Sequence, residues 1–290
     1  MKNFFFYLLL FSSLISSSQT QQNINKNTGT ASNAIATIDS IRFNGSSTNM
    51  EVVLQSGTVE SHSLSDIINV NFTSASQHSC GADSVHNPNI NYGSMTDQQG
   101  NVYKTIVIGS QEWMAENLKT TIYRNGNAIA NITDNAQWSG LTTGAYVSLN
   151  NNTQFDCPYG KLYNWYAVVD PRHVCPTGWH EPTDGEWTTL TDYLGGVEVA
   201  GGKMKTTGLQ YWQSSNTDAT NESGFSGLPG GYRYYFNGDF NDVGDYGYWW
   251  SSSEYDANNA WSRFLFYDFG NAYQGYGSKQ GGFSVRCLRD

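Results

Sequence analysis

The segment PTDGEWTTLTDYLGG stands apart from the rest of the chain because its apolar residues have a helical period. Trp187, Leu190 and Leu194 recur at i, i+3 and i+7, which places them on one stripe of a helix. Thr183 and Glu186 have the spacing of a capping box, in which each side chain accepts the backbone N–H of the other residue. The sequence therefore predicts a helix that begins directly after Thr183.

The residues around this segment indicate where the helix stops at each end. Pro182 prevents the helix from extending further back, and Asp184 places negative charge at the positive end of the helix dipole. Gly195 and Gly196 supply the conformational freedom with which helices commonly end. Two of the acidic residues in CPTGWHEPTDGEW, Asp184 and Glu186, therefore have structural roles, whereas His180 and Glu181 have none that the sequence reveals.

Composition indicates what surrounds this helix. Aromatic residues make up 14% of the chain, with 9 Trp, 19 Tyr and 30 Gly. Glycine and aromatic residues together favour short strands and tight turns over long helices. The net charge is −10 with only 15 Lys and Arg, so the chain repels phosphate backbones and nucleic-acid binding is disfavoured.

The N-terminus resembles a secretory signal. Lys2 precedes an apolar run over residues 4–11, and small residues follow at 16–18, so we predict a signal peptide over residues 1–18. The apolar run is too short to span a bilayer, and no later stretch has the composition of a transmembrane helix. We expect an exported protein that does not span a membrane and is secreted or held at the cell surface or in the periplasm.

Composition shifts divide the remaining chain into four parts. Residues 19–36 are rich in Asn, Gln and Thr and are predicted to be a flexible leader. Residues 37–73 contain the segments IDSIRF, MEVVLQ, TVESHSL and IINVNF, which predict a small β meander. Residues 74–94 have the composition of a linker, and the main domain is predicted over residues 95–290.

The main domain begins and ends with segments typical of strands. GNVYKTIVIG and KLYNWYAVV are predicted to be strands, and SQEWMAENL is predicted to form one or two helical turns capped by Ser110. GYWWSSS, AWSRFLFYDF and GGFSVRCLRD predict strands at the end of the domain. In the last of them, alternation places Phe283, Val285 and Cys287 on one face and Ser284 and Arg286 on the other.

An even number of cysteines in an exported chain predicts two disulfides. The four cysteines are Cys80, Cys157, Cys175 and Cys287. They permit three pairings, between which their spacing does not decide.

Six motifs in one order resemble a known family, the Fibrobacter succinogenes major paralogous domain. They are GSQEWMAENLK, YGKLYNWYAV, CPTGWHEPTDGEWTTL, GFSGLPGGYR, YWWSSSE and FSVRCLRD. The resemblance covers residues 95–290 and is to a module of exported bacterial proteins without an assigned activity.

This family is in turn similar to formylglycine-generating enzymes, which have a C-type-lectin-like fold. The matching positions are Gly178, Pro182, Thr183, Glu186, Trp187, Arg286 and Cys287. The resemblance implies an α+β fold, in which a loop-rich, twisted antiparallel sheet is flanked by two helices and preceded here by the small β meander. With this fold in view we predict that Cys175 pairs with Cys287, which leaves Cys80 for Cys157.

The sequence does not support an enzyme. The oxidase chemistry of formylglycine-generating enzymes needs two reactive cysteines near the C-terminus, and only Cys287 lies there. Zinc hydrolysis needs a second histidine four residues after His180, which is missing, and His78, Cys80 and His86 lie in a predicted linker. Glycoside hydrolysis needs two facing carboxyl groups, and the best-placed acids already have roles at the helix start. We therefore expect no catalytic residues and no cofactor.

Calcium is a weak alternative at NGDFNDVGDYG. Asp239, Asn241 and Asp245 are candidate ligands, together with Asp242, because closely spaced oxygen atoms suit calcium. The spacing departs from the EF-hand pattern at its third ligand. A turn of solvated Asp and Asn side chains is therefore the preferred interpretation, and structural calcium the alternative.

Aromatic residues are concentrated between residues 232 and 276, where lectin-like folds build their variable loops. Trp250, Trp261 and Phe264 are predicted to lie in the core. Those predicted to lie in exposed loops and bind a ligand are Tyr235, Tyr246 and Tyr273, with Asp239 and Asp242 beside them. We expect an exported, non-enzymatic module that binds a glycan or a protein at the cell surface. The alternatives are a structural component of a surface assembly and, less favoured, an enzyme of this fold.

Overall fold

The computed structural model describes residues 84–290 without a gap and, before them, residues 19–26, 29–34, 38–43, 49–54, 59–63 and 67–74. The chain divides into two compact units between Gln77 and His78. The predicted signal peptide lies outside the described residues, as do residues 75–83 of the predicted linker, which include Cys80. Within the described part of the chain, no helix is long and apolar enough to cross a membrane.

In the parts of the first unit that the structure describes, the strands form two three-stranded antiparallel sheets. Its strands are β1 (Gln19–Lys26), β2 (Gly29–Ala34), β3 (Ile38–Phe43), β4 (Asn49–Leu54), β5 (Val59–Ser63) and β6 (Ile67–Ser74). One sheet has the order β3-β4-β5 and the other β2-β1-β6. The structure differs from the predicted flexible leader, because β1 and β2 pair with each other and β1 pairs with β6. Such pairing satisfies backbone hydrogen bonds whatever the side chains, so polar composition did not reveal it.

Over its described residues, 84–290, the second unit is rich in short strands and has five α-helices. Its strands are β7 (Gly93–Thr96), β8 (Val102–Ile108), β9 (Gln111–Met114), β10 (Ala130–Asn131), β11 (Ala145–Ser148), β12 (Lys161–Tyr163), β13 (Trp179–His180), β14 (Gly230–Arg233), β15 (Phe240–Val243), β16 (Tyr246–Glu254), β17 (Asn259–Phe266), β18 (Ala272–Ser278) and β19 (Leu288–Arg289). Its helices are α1 (Asn135–Ser139), α2 (Asp156–Tyr159), α3 (Trp165–Val168), α4 (Asp184–Tyr193) and α5 (Val197–Met204).

Three sheets organise these strands into a mixed, sheet-rich α+β fold. Two five-stranded sheets have the orders β13-β19-β9-β8-β7 and β15-β14-β16-β17-β18, and a three-stranded sheet has the order β10-β11-β12. Most neighbours are antiparallel, with parallel pairing between β10 and β11 and between β14 and β16. The last strand of the chain, β19, lies between β13 and β9, so the end of the domain pairs with its beginning.

The structure confirms the predicted helix as α4. The Thr183 side chain accepts the backbone N–H of Glu186, and the Glu186 carboxylate accepts the backbone N–H of Thr183. Trp187, Leu190 and Leu194 are all buried, as their spacing predicted. Two successive positive φ angles, 103° and 94°, follow at Gly195 and Gly196 and turn the chain directly into α5.

The predicted helical turns at SQEWMAENL are wrong. Ile108 pairs with Gln111, so Gly109 and Ser110 form a two-residue turn between β8 and β9, with φ 63° at Gly109. Trp113 pairs with Leu288 of β19 and is fully buried. Pairing on both sides of this segment outweighs the helix propensity of Glu, Met and Ala.

The predicted strand at KLYNWYAVV is only partly correct. Residues 161–163 form β12, after which the chain turns into the short helix α3. The Asn164 side chain accepts the backbone N–H of Ala167 at 3.1 Å and so caps that helix. Asn164, a good N-cap residue inside an apolar run, was the sequence signal for this helix, but the strand-like composition around it favoured the prediction of a strand.

The closing segment of the chain is buried on both faces. Phe283, Val285 and Cys287 are buried as predicted, but Ser284 and Arg286 are buried as well. Alternate side chains of this segment therefore point into two different parts of the interior. Neither of its faces is turned to solvent.

We predict that Thr183→Ala lowers the free energy of unfolding by about 1 kcal/mol, because it removes the N-cap hydrogen bond. Urea unfolding followed by tryptophan fluorescence measures this effect in the second unit, since all 9 Trp lie between residues 113 and 261. Thr189→Ala is the matched control, because Thr189 is exposed on α4 and its hydroxyl bonds only the Gly185 carbonyl, at 3.0 Å. Equal destabilisation by the two substitutions would contradict a specific capping role.

Candidate functional site

The start of α4 is tied to the end of the chain by a disulfide. Cys175 is bonded to Cys287, with 5.8 Å between their Cα atoms and 112 residues between them in sequence, and this pairing confirms the prediction. Both cysteines are fully buried. Cys157 is also disulfide-bonded. Its predicted partner, Cys80, lies outside the described residues.

Glu181 holds the chain around this disulfide. One of its carboxylate oxygens accepts the backbone N–H groups of Val174 and Cys175 at 2.8 and 2.9 Å, and the other lies 3.1 Å from Nδ1 of His173. The side chain is buried. A carboxylate that accepts two backbone N–H groups organises a turn, so Glu181 has the structural role that the sequence did not reveal.

His180 bridges two carboxylates. Its Nδ1 lies 2.7 Å from an oxygen of Asp290, and its Nε2 lies 2.9 Å from an oxygen of Glu186. Burial by itself would lower the pKa of His180, but the hydrogen bonds to Asp290 and Glu186 outweigh burial and raise the pKa above 6.5. Burial would likewise raise the pKa of Glu186, but hydrogen bonds from Thr183 and His180 lower it below 4.5.

Asp184 pairs with a buried arginine as well as with the helix dipole. Its carboxylate accepts a hydrogen bond from Arg263, whose side chain is only 2% exposed, and another from Gln274 at 2.8 Å. Arg263 and Gln274 lie on β17 and β18. The acids best placed for glycoside hydrolysis, Asp184 and Glu186, are thus engaged in holding α4 against the sheet and the C-terminus.

Arg286 forms the polar centre of the core. Its guanidinium donates to the carbonyls of Phe225 and Ser226 and to the side chain of Asn117, and its central carbon lies 4.0 Å from the centre of the Phe225 ring. Asn117 also accepts a hydrogen bond from the Trp249 indole at 2.9 Å. These five residues come from four of the sequence motifs, so the motifs build the interior.

The acidic segment 237–247 does not gather its oxygen atoms at one point. Asp239 accepts hydrogen bonds from Asn135 at 2.9 Å and Asn237 at 2.6 Å, whereas Asp242 accepts one from the Tyr248 hydroxyl at 2.6 Å. The other two calcium candidates, Asn241 and Asp245, take part in local turn contacts through the Asp239 and Asp242 carbonyls. In the part of the chain that the structure describes, no group of three or more His, Cys, Asp or Glu is arranged to hold a metal ion.

A layer of half-buried and exposed aromatic side chains lies on one face of the sheet formed by β14, β16, β17 and β18. We call it the aromatic face; its residues are Tyr232, Tyr246, Tyr248, Phe264, Phe266 and Tyr273. Each is partly or fully exposed. Ring centres of Tyr246 and Phe266 are 4.7 Å apart, and those of Phe266 and Tyr273 are 4.8 Å apart.

Strand register explains why these rings share one face. Tyr246 is paired with Phe266, Tyr248 with Phe264, and Phe264 with Tyr273 on the next strand. Residues directly opposite each other in an antiparallel pair point to the same side of the sheet. The intervening residues, such as Trp249 and Leu265, are fully buried on the opposite side.

Part of the aromatic face is anchored to the interior. The Tyr232 and Tyr248 ring centres are 5.0 Å apart, and Tyr248 and Phe283 are 5.1 Å apart. Burial and the hydrogen bond to Asp242 raise the pKa of Tyr248, so its hydroxyl stays protonated at neutral pH. Tyr273, which contacts Phe266 at the other end of the aromatic face, is exposed.

The structure brings together two of the three tyrosines predicted to bind a ligand. Tyr246 and Tyr273 flank Phe266, but both lie on strands, so their predicted placement in loops is wrong. Tyr235 lies in the turn between β14 and β15, 40% exposed and in edge contact with Tyr234. It is connected to the aromatic face through Tyr234 and Tyr232, whose ring centres are 6.1 Å apart.

The remaining residues of the aromatic face were missed or assigned to the core. Trp250 lies in the core as predicted, but Trp261 and Phe264 are only partly buried. A period of two in YGYWW and RFLF, with aromatic residues at alternate positions, was the available signal. It indicates a two-sided strand but does not say which side is covered.

Comparison with known proteins identifies one family. Residues 106–289 match the model of the Fibrobacter succinogenes major domain, which confirms the resemblance carried by the six motifs. The match extends over more than half of the chain and includes α4, the Arg286 cluster and the aromatic face. No curated protein and no solved structure matches the chain.

We predict that His180→Asn destabilises the protein more at about pH 5.5 than at about pH 9. A raised pKa in the folded state means that the stabilisation by protonated His180 is fully present below its ordinary pKa of 6.5 and is lost as pH rises through the folded value. Because the pKa of Glu186 is lowered, its contribution is present above 4.5 and is lost as pH falls through its own folded value. Urea unfolding of both proteins at the two pH values measures the difference.

Asp290→Asn is the companion variant, since it keeps the histidine and removes one of its two carboxylate partners. We expect a smaller pH-dependent loss of stability from Asp290→Asn than from His180→Asn. The same loss from His180→Asn at both pH values would show that the bridge does not depend on the charge of His180.

Proposed function

The chain belongs to the Fibrobacter succinogenes major domain family, and we propose that its domain is a non-enzymatic carbohydrate-binding module of an exported protein. The single observation that supports this proposal most directly is the aromatic face. It presents several adjacent rings on a rigid sheet, with hydroxyl groups at their edges. Aromatic rings of this kind combine flat apolar area with polar edges, which suits the faces of sugar rings.

The preorganisation of these rings favours a ligand that stacks. Tyr246 and Tyr273 contact the two sides of Phe266, so each ring limits the rotamers of its neighbour. Tyr273 remains 41% exposed. A ligand that covers rings already held in place does not have to pay the full entropy of ordering them. Nearby hydroxyl and carboxylate groups, such as Tyr248 and Asp242, can hydrogen-bond the hydroxyls of a sugar.

The use of the motif residues supports a binding role over catalysis. Glu181 is occupied by backbone N–H groups, Glu186 by Thr183 and His180, and Asp184 by Arg263. The carboxylates of these three residues therefore already accept hydrogen bonds that hold the fold together. The proposed binding requires no cofactor.

Disulfide chemistry supports export. The Cys175–Cys287 bond and the bonded state of Cys157 are typical of proteins that fold in an oxidising compartment. The signal-like N-terminus is consistent with export to such a compartment. We propose that the protein is located at the cell surface or in the periplasm.

The finer fold assignment is also a proposal. A capped helix that begins at Thr183 and a closing Arg286-Cys287 segment are the features shared with C-type-lectin-like folds. In this protein β19 pairs with β9 and β13, so the end of the domain closes onto its beginning. This arrangement supports a C-type-lectin-like fold for the domain.

Binding of a protein in a surface assembly is the second candidate. Phe236 is 74% exposed and Phe269 is 50% exposed, and neither ring has a polar edge for a sugar hydroxyl. Exposed phenylalanines beside tyrosines are typical of protein interfaces. This candidate predicts binding to a protein surface in the absence of sugar.

We predict that Tyr273→Ala and Tyr246→Ala each raise the Kd for a bound glycan roughly five- to tenfold, the loss expected for one stacked ring worth about 1–1.5 kcal/mol. A glycan array with the full exported chain identifies the ligand, and isothermal titration calorimetry with that glycan measures the change. Thermal melting should show that both variants remain folded, because Tyr273 is well exposed and Tyr246 is partly exposed.

Tyr193→Ala is the matched control, because Tyr193 is a 66% exposed tyrosine on α4, outside the aromatic face. Its Kd should equal that of the parent chain. A blank array would overturn the carbohydrate proposal and favour a protein partner, and binding that survives both Tyr246→Ala and Tyr273→Ala would overturn the assignment to this face.

A further inference from the structure

The charges around the aromatic face are of one sign. Residues 230–278, which form this sheet and its turns, contain only two cations, Arg233 and Arg263, and both are buried. Arg263 lies on the α4 side of the sheet, where it donates to Asp184. The acids of the same segment are Asp239, Asp242, Asp245, Glu254, Asp256 and Asp268. No lysine or arginine of this segment therefore reaches the exposed side of the sheet.

Three of these carboxylates act on Tyr246. Burial raises the pKa of the Tyr246 hydroxyl, and the negative charges of Asp268, Asp242 and Asp245 raise it further. The Asp242 carboxylate also accepts a hydrogen bond from the Tyr248 hydroxyl at 2.6 Å. Each of the three acids is half-buried, so its charge lies close to the rings and is only partly screened by water. The negative potential thus coincides with the rings proposed to bind the sugar.

These three charges are not neutralised by ion pairs. Among the residues that the structure describes, none of the salt bridges involves Asp242, Asp245 or Asp268. Lys205 interacts with Asp268 through its charge, but it is fully buried. Its ammonium group donates to three backbone carbonyls at 2.7 to 2.8 Å and is thus held in the interior. Carboxylates without a paired cation can attract one from a ligand.

The charge of this surface distinguishes three classes of glycan. A glycan with carboxylate or sulfate groups is repelled, and a neutral glycan gains only from stacking and from hydrogen bonds to its hydroxyls. A glycan with ammonium groups gains in two further ways, because each group can pair with a carboxylate and can contact the face of an aromatic ring. Tyr273, which is 41% exposed, presents such a ring.

We infer that the aromatic face takes glycans that carry free amino groups, such as oligomers of β-1,4-linked glucosamine. The sugar rings stack on Tyr246 and Tyr273, and the ammonium groups lie beside Asp242, Asp245 and Asp268. This inference rests on the proposed carbohydrate-binding function and adds to it the charge of the ligand.

Isothermal titration calorimetry of the full chain with four tetrasaccharides tests the inference. Three have the same β-1,4 linkage and differ at C2: the glucosamine tetramer carries ammonium groups, the N-acetylglucosamine tetramer neutral amides and the glucose tetramer hydroxyl groups. The galacturonate tetramer is the anionic probe. The titrations use low ionic strength and a pH between the pKa of aspartate and that of the sugar's amino groups.

The glucosamine tetramer should have a Kd roughly tenfold lower than that of either neutral tetramer, because it adds ion pairs and cation–π contacts to stacking. The galacturonate tetramer should bind most weakly of the four. Added sodium chloride should narrow the difference between the glucosamine and N-acetylglucosamine tetramers, because salt screens charges near the surface.

Asp245→Asn tests the role of charge at nearly constant shape. The hydrogen bonds of Asp245 run through its backbone N–H and carbonyl, so the substitution leaves them in place. It should lower the ratio of the Kd of the N-acetylglucosamine tetramer to that of the glucosamine tetramer about two- to threefold. Asp192→Asn is the matched control, because Asp192 is an exposed aspartate on α4, outside the aromatic face, and its substitution should leave the ratio unchanged.

Equal Kd values for the glucosamine and N-acetylglucosamine tetramers would overturn the inference and, if Tyr273→Ala weakened the binding of both, would leave the proposed function intact. Tightest binding of the galacturonate tetramer would also overturn the inference. An equal fall in the ratio for Asp192→Asn and Asp245→Asn would do the same, since the preference would then reflect the net charge of −10 and not this face. Absence of binding by all four tetramers would overturn the inference, while the glycan array decides the proposed function separately.

Discussion

The buried guanidinium of Arg286 is the interaction on which the second unit depends. It lies between Phe225 and Trp249, at 4.0 and 5.7 Å from their ring centres, and donates to backbone carbonyls and to Asn117. A positive charge in the interior is costly unless its hydrogen bonds are satisfied. Because its acceptors Asn117, Phe225 and Ser226 lie far from Arg286 in sequence, the fold is what brings them together around the guanidinium. The family motifs meet at this point.

A second set of polar contacts fixes the start of α4 in the same way. Glu181 holds the backbone beside the Cys175–Cys287 bond, His180 connects Glu186 with Asp290, and Asp184 reaches the buried side of the sheet. The reactive residue types in this segment suggested chemistry, yet each has a structural partner. The motifs by which the family is recognised therefore form the structural framework of the domain. The aromatic face, which this framework supports, lies on strands β14, β16, β17 and β18.

Much of this structural framework could be predicted from sequence, because the sequence patterns that indicate it are local. The capping box and the apolar stripe of α4 lie within one segment, and the Cys175–Cys287 pairing followed from the family resemblance. Prediction failed where long-range pairing competes with local preference. Gln111–Met114 became a strand because β8 and β19 flank it, and Asn164 redirected an apolar run into α3.

The candidate sites were only partly predictable for the same reason. Tyr246 and Tyr273 were identified from composition, but their neighbour Phe266 was not, since their contact depends on the register of β16, β17 and β18. By itself the sequence determined the helix start, the aromatic and acidic composition, and the family. Only the tertiary structure decided which aromatic side chains face solvent, because alternation along a strand merely defines two sides. Packing against α4 and α5 covers one side of the sheet, whereas on the other side Phe283 of the closing segment covers only the end near Tyr232 and Tyr248.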